Sequence, residues 1–205
     1  MQKTRIYHLF LCAVILASAG LCLGWADTWD DIKAASGKVT AIRAEFVQEK
    51  HMKILVRPLV SQGMFYFKAP RSLRWEYRSP IQSILLTHSG KTRRFIRKDG
   101  KVSEDAGAQL PAVQMVLHEI TQWLKGRFDE NPMFSSHLEP GPKVVLRPKE
   151  KKFAGMIQRI ELILADRPGM IRSVTIFEGE DSFTRLRFKK VVLNPPLPDD
   201  LFGKI

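Results

Sequence analysis

The chain has 205 residues, 44% of them apolar, and its 33 Lys and Arg against 21 Asp and Glu give a net charge of +12. The basic residues are dispersed over "KTRRFIRK" (91–98), "KEKK" (149–152) and "RLRFKK" (185–190) instead of lining one helix, which argues against a groove-reading nucleic-acid protein. The only cysteines, Cys12 and Cys22, lie in the N-terminal apolar run, so the rest of the chain relies on neither disulfide nor thiol chemistry.

Lys3 and Arg5 precede an apolar stretch from Ile6 to Leu23, and Gly24-Trp25-Ala26 places small residues at the two positions a signal peptidase reads. Residues 1–26 therefore read as a secretory signal peptide, with cleavage before Asp27. The alternative is an uncleaved anchor, since about 18 apolar residues just span a bilayer. Neither cysteine has the small residue before it that a lipoprotein signal requires. Loss of Lys3 and Arg5 with the leader takes the charge from +12 to +10. After export, anionic lipid head groups are natural partners for such a surface; a basic but inert soluble surface is the plain alternative.

Residues 27–205 read as one domain. Asp27 to Lys38 is a short helix with Trp29 and Ile32 at helical spacing and Gly37 at its end. From Ile42 the period becomes two, with Ile42, Ala44 and Phe46 opposed to Arg43 and Glu45. "QGMFYFK" (62–68) is apolar on both sides, and "LRWEYR" (73–78) sets Leu73, Trp75 and Tyr77 against Arg74, Glu76 and Arg78. "SILLTH" (83–88) follows Pro80, and Ser89-Gly90 and Asp99-Gly100 are hairpin signals around "KTRRFIRK".

Pro111 opens the one long helix, in which Val113, Val116, Leu117, Ile120 and Leu124 share a face, flanked by Met115 and Trp123 and closed by Gly126. Strand patterns then return in "MFSSHLE", "KVVLRPK", "QRIELILA", "IRSVTIFE" and "FTRLRFKKVVL". The tail "NPPLPDDLF" is too rich in proline for a central strand and is expected along an edge. About ten antiparallel strands with so few helices curl into a barrel or stay partly open with a helix over a residual hollow. A fully packed core is the competing arrangement.

Catalytic signals are weak. "HEITQ" at His118 has Gln122 where a zinc-protease motif needs its second histidine, and Glu119 belongs on the solvent side of the helix. No nucleophile elbow, phosphate loop or C-x-x-C is present, and His51, His88, His118 and His137 are far apart. Asp30-Asp31 and Asp199-Asp200 read as helix-start and tail charges. The sequence points away from an enzyme and calls for no cofactor or metal.

"FVQEK" (46–50), "SQGMFYFKAPRSLRWEYRSP" (61–80) and "SILLTHSGK" (83–91) together resemble the periplasmic outer-membrane lipoprotein carrier family, LolA, and the second half follows that pattern more loosely up to "LPDDLF". The resemblance implies a mainly β protein with helices (α+β): an incomplete antiparallel β-barrel of about ten strands under an α-helical lid, enclosing a hydrophobic cavity for acyl chains. It places Phe46, Phe65, Phe67, Leu73 and Trp75 on the cavity wall, Tyr77 and Leu85 toward the rim, and Met115, Val116 and Ile120 on the underside of the lid. It further implies a periplasmic monomer that passes acylated lipoprotein or lipid cargo from an inner-membrane exporter to an outer-membrane acceptor. A lipid-sensing or protein-interaction module of the cell envelope with the same half-barrel is the second reading. One departure stands out: the family arginine before the proline of the K-x-P turn is Ala69 here, and Arg71 lies beyond the proline. That puts the latch between barrel and lid in doubt.

Overall fold

The computed structural model describes residues 28–105, 119–166 and 170–205. The leader 1–26 and the predicted lid residues Met115 and Val116 lie outside these residues. Helix α1 (Trp29–Ser36) begins where the Asp31 amide donates to Thr28 Oγ1 at 3.2 Å, and Asp30 and Asp31 face its positive N-terminus. Its apolar stripe buries Ile32.

Eleven strands form one antiparallel sheet: β1 (Ala41–His51), β2 (Leu59–Lys68), β3 (Ser72–Ser79), β4 (Ser83–His88), β5 (Lys91–Lys98), β6 (Lys101–Glu104), β7 (Phe134–Glu139), β8 (Lys143–Pro148), β9 (Arg159–Leu164), β10 (Ile171–Phe177) and β11 (Phe183–Leu193). Their order is β6-β5-β4-β3-β2-β1-β11-β10-β9-β8-β7, two meanders joined where β1 pairs with β11. The sheet is open, with β6 and β7 as its edges, so the architecture is an incomplete barrel. Two tight hairpins have both central residues at positive φ, Ser89-Gly90 (49° and 77°) and Asp99-Gly100 (51° and 74°), the geometry that matches strand twist. Bulges next to Gly63, at Lys190 (φ 48°) and before Ser173 bend the sheet so that one face becomes concave.

The concave face holds the main core. Val144 and Leu146 of β8, Ile160, Leu162 and Leu164 of β9 and Val174 of β10 pack with Ile32, Trp123, Leu124 and Phe128. The helical segment 119–124 and α1 thus fill the hollow on the β7–β10 side. Gly126 ends that segment, and a side chain there would press on the α1 backbone, 3.0 Å from the Ile32 carbonyl oxygen. Each large side chain buried this way contributes about 1.5–3 kcal/mol. Glu119 departs from the solvent-side expectation: it is buried and accepts a hydrogen bond from Asn131 Nδ2. The reason is local, since Asn131 Oδ1 also accepts from the amides of Met133 (2.8 Å) and Phe134 (3.0 Å) and so ties the helix end to β7.

The C-terminal tail departs too. Instead of following an edge, it crosses the convex face over β3 and β4 as a one-turn helix, Asp199–Phe202. Phe202 is buried there and stacks on His88 at 6.3 Å between centroids. Arg74 Nη1 donates to the carbonyls of Leu201 (3.2 Å) and Lys204 (2.7 Å), and Lys68 Nζ to that of Leu197 (2.9 Å). Proline excluded the tail from the sheet, but the basic outer face of β2 and β3 decided where it settled.

Candidate functional site

On the other half of the concave face the packing is incomplete, leaving an apolar cavity of about 360 Å³. That lies within the range of about 300–1,000 Å³ typical of small-molecule sites. Ile42, Ala44 and Gln48 of β1, Phe65 of β2, Trp75 and Tyr77 of β3 and Leu85 of β4 form one wall. Ile171, Val174 and Ile176 of β10 with Leu186, Phe188, Val191 and Leu193 of β11 form the other, and Ile120, Trp123 and Leu124 cover it from the helical segment.

The aromatic wall is built by strand alternation. Phe65 and Trp75 are cross-strand partners and meet edge to face at 5.3 Å, and Phe65 also meets Phe188 at 5.8 Å. Phe46 sits opposite Gly63 and turns its ring against Trp75 (5.4 Å) and Tyr77 (5.1 Å). A Cβ on Gly63 would fall 1.8 Å from the Glu76 carbonyl oxygen and 2.8 Å from Phe46 Cε1. Only glycine fits beneath that ring.

Of the residues singled out in the sequence, Phe65, Trp75, Tyr77, Leu85 and Ile120 line the cavity. Phe46, Phe67 and Leu73 are buried in the core behind it, so Phe46 supports the wall from below. Ala69 is exposed, and its amide donates to the Thr40 carbonyl at 2.8 Å. It lies in the β2–β3 turn, and Arg71 beside it is exposed.

Sequence reading missed the entire β10–β11 wall, although its alternation was visible in "IRSVTIFE". It also missed the few polar groups. Tyr77 Oη donates to Gln48 Oε1 at 2.8 Å, and Thr184 Oγ1 donates to Glu178 Oε1 at 3.2 Å. Lys50 Nζ stands 3.3 Å from Glu178 Oε2. These groups gather at one end of the cavity, because Thr184 pairs with Lys50 and Gln48 with Leu186. Burial pushes the Tyr77 phenol up to about 12, against the opposing pull of Arg94. The indole nitrogens of Trp75 and Trp123 are buried, and that of Trp123 has no acceptor among the described residues. No cluster of metal-ligating side chains occurs among the described residues.

An open antiparallel half-barrel around an apolar hollow, with polar groups at one end only, is the build of a carrier or binding protein for apolar molecules. The chain belongs to the family of the outer membrane lipoprotein carrier protein LolA, which matches over residues 37–204. Among solved structures, it is similar to a DUF1329 family protein from Desulfovibrio piger (TM-score 0.46, 10% identity, covering 85% of this chain and 95% of that one). A LolA superfamily protein from Nitrosomonas europaea gives 0.42 at 8% identity, covering 86% and 98%. The Pseudomonas aeruginosa MucA/MucB complex gives 0.43 at 15% identity, covering 86% of this chain but 60% of that one. No curated protein matches the sequence.

Proposed function

We propose that this protein is a periplasmic carrier that shields the acyl chains of a lipoprotein or lipid during transfer between membranes. The observation that carries the reading is the cavity of about 360 Å³ walled by Phe65, Trp75, Leu85, Ile176 and Phe188. Each methylene withdrawn from water gains about 0.8 kcal/mol, so a free long acyl chain is unfavourable in water by roughly 10 kcal/mol or more. A hollow of aromatic and branched side chains removes most of that penalty without fixing a hydrogen-bond pattern. Cargo can then leave when a membrane or acceptor offers an equal environment. The reading supplies its own sites: Phe65, Trp75, Tyr77, Leu85 and Ile120 touch the chain, while Phe46, Phe67 and Leu73 hold the wall in place. Met115 and Val116 complete the lid, an inner-membrane exporter loads the protein and an outer-membrane acceptor unloads it. It acts as a monomer, exported with loss of residues 1–26.

The test is binding. Gently extracted protein should carry acylated molecules detectable by native mass spectrometry, and delipidated protein should bind a fluorescent fatty acid. Trp75→Asp and Ile176→Asp should each weaken that binding at least tenfold while circular dichroism stays unchanged. Absence of both co-purified lipid and probe binding in a folded wild-type protein overturns the proposal.

A further inference from the structure

An antiparallel meander places alternate connections at opposite ends of its sheet. The β1–β2 loop (52–58), the β3–β4 turn (80–82), the β5–β6 turn (99–100), the stretch before β9 (155–158) and the β10–β11 turn (178–182) therefore share one end. Eight of the ten large hydrophobic residues exposed among the described residues lie at that end, Val102 at the start of β6 among them. Ile54 and Val56 at the loop tip are 86% and 102% exposed, with Leu55 between them. Ile81 (68%) and Met156 (62%) project from two other connections, and Leu59 and Val60 open β2 just behind the tip. A single exposed hydrophobe is ordinary; eight on one rim, five of them on one loop and the strand start that follows it, are not.

We infer that this rim seats the protein on a lipid bilayer, with the tip Ile54-Leu55-Val56 entering the boundary between head groups and acyl chains. The charge pattern selects that occupant. Lys53 and Arg57 bracket the apolar triplet, so their stems lie along the inserted residues while their cations stay at phosphate level. Lys53 also stands 3.6 Å from Asp181 on the neighbouring turn, an exposed pair that head-group phosphates can replace. At 86% and 102% exposure Ile54 and Val56 project clear of their own protein, as entry into a fluid surface requires and a matched protein pocket does not. The position is also informative. Glu178 opens the β10–β11 turn, and Gln48 and Thr184 lie near the β1–β2 loop, so the polar end of the cavity faces the same side as the rim. The inference takes its purpose from the carrier reading but not its evidence.

Flotation of the exported chain with vesicles of phosphatidylethanolamine and phosphatidylglycerol tests it. Wild-type protein should co-float, and the variant Ile54→Ser, Leu55→Ser, Val56→Ser should lose at least tenfold in partitioning. Val192→Ser, an exposed hydrophobe of β11 away from this rim, should partition as wild type. The triple variant should keep its affinity for the soluble fatty-acid probe. Tip-dependent flotation without probe binding would refute the carrier reading and leave the membrane seat standing. Three outcomes overturn the seat: no flotation of wild type, equal flotation of the triple variant, or tip-dependent binding to an envelope protein but not to vesicles.

Discussion

Gly63 and Phe46 show how a single missing side chain shapes the cavity wall. The Glu76 carbonyl closes over Gly63 and the Phe46 ring covers it, so Gly63→Ala must push β2 and β3 apart at the bulge. We expect a loss of about 1–3 kcal/mol, read as a fall of about 3 °C in Tm per kcal/mol, with probe binding weakened in the folded fraction. Tyr77 gives a second expectation at this scale. Its phenol ionises near pH 12 in the folded protein, against 10.0 for an unperturbed tyrosine. The raised value means that stability is intact below pH 10 and declines as pH rises toward 12, because the unfolded chain releases its proton first. Denaturant melts at pH 9.5 and 11.5 should show a smaller alkaline loss for Tyr77→Phe than for wild type. An equal loss would mean another group controls the alkaline limb.

At the scale of elements, one buried cation makes two of the hydrogen bonds that hold the C-terminal strap. Arg74 binds the Leu201 and Lys204 carbonyls and pairs with Glu76 at 3.0 Å, so β3 carries the cavity wall on one face and anchors the tail on the other. Arg74→Ala should cost about 2–3 kcal/mol, the worth of its charge-assisted hydrogen bonds, and should expose residues after Leu193 to carboxypeptidase. Protection unchanged from wild type would show that Phe202 and the Lys68 contacts hold the strap without Arg74. These elements also show what was legible in the sequence. Alternation in "LRWEYR" and "IELIL" located strands, and the two X-Gly hairpins located turns, because both signals are local. The strap was not legible, because prolines state only what a segment cannot be. Glu119 was misplaced because its partner Asn131 lies on a later loop, out of reach of helical periodicity. Half of the cavity was missed because the β10–β11 wall reads like any half-buried strand pair.

At the scale of the whole molecule, the first and last strands meet at the centre of the open sheet. Ile42 pairs with Leu193, so the centre of the sheet joins strands almost a full domain apart in sequence. Strand order could not be read from local pattern for that reason, whereas the curl and the hollow followed from many strands and few helices. Such pairing raises contact order, and folding is expected on the slow side, milliseconds to seconds. The same topology makes β11 indispensable. A chain ending at Asp181 should leave β1 without its central partner and show no protected amide core by hydrogen exchange, whereas folded two-sheet fragments would contradict the single-sheet description.

The two indoles on the cavity wall have a practical meaning as well. Trp75 and Trp123 both border the hollow. Their nitrogens are buried away from the accessible surface of that hollow, so an entering chain meets the indole rings, whatever its head group. Their fluorescence should therefore shift to the blue with acyl esters and with alkanes of equal length alike, so the protein carries its own spectroscopic gauge of whether the hollow is filled.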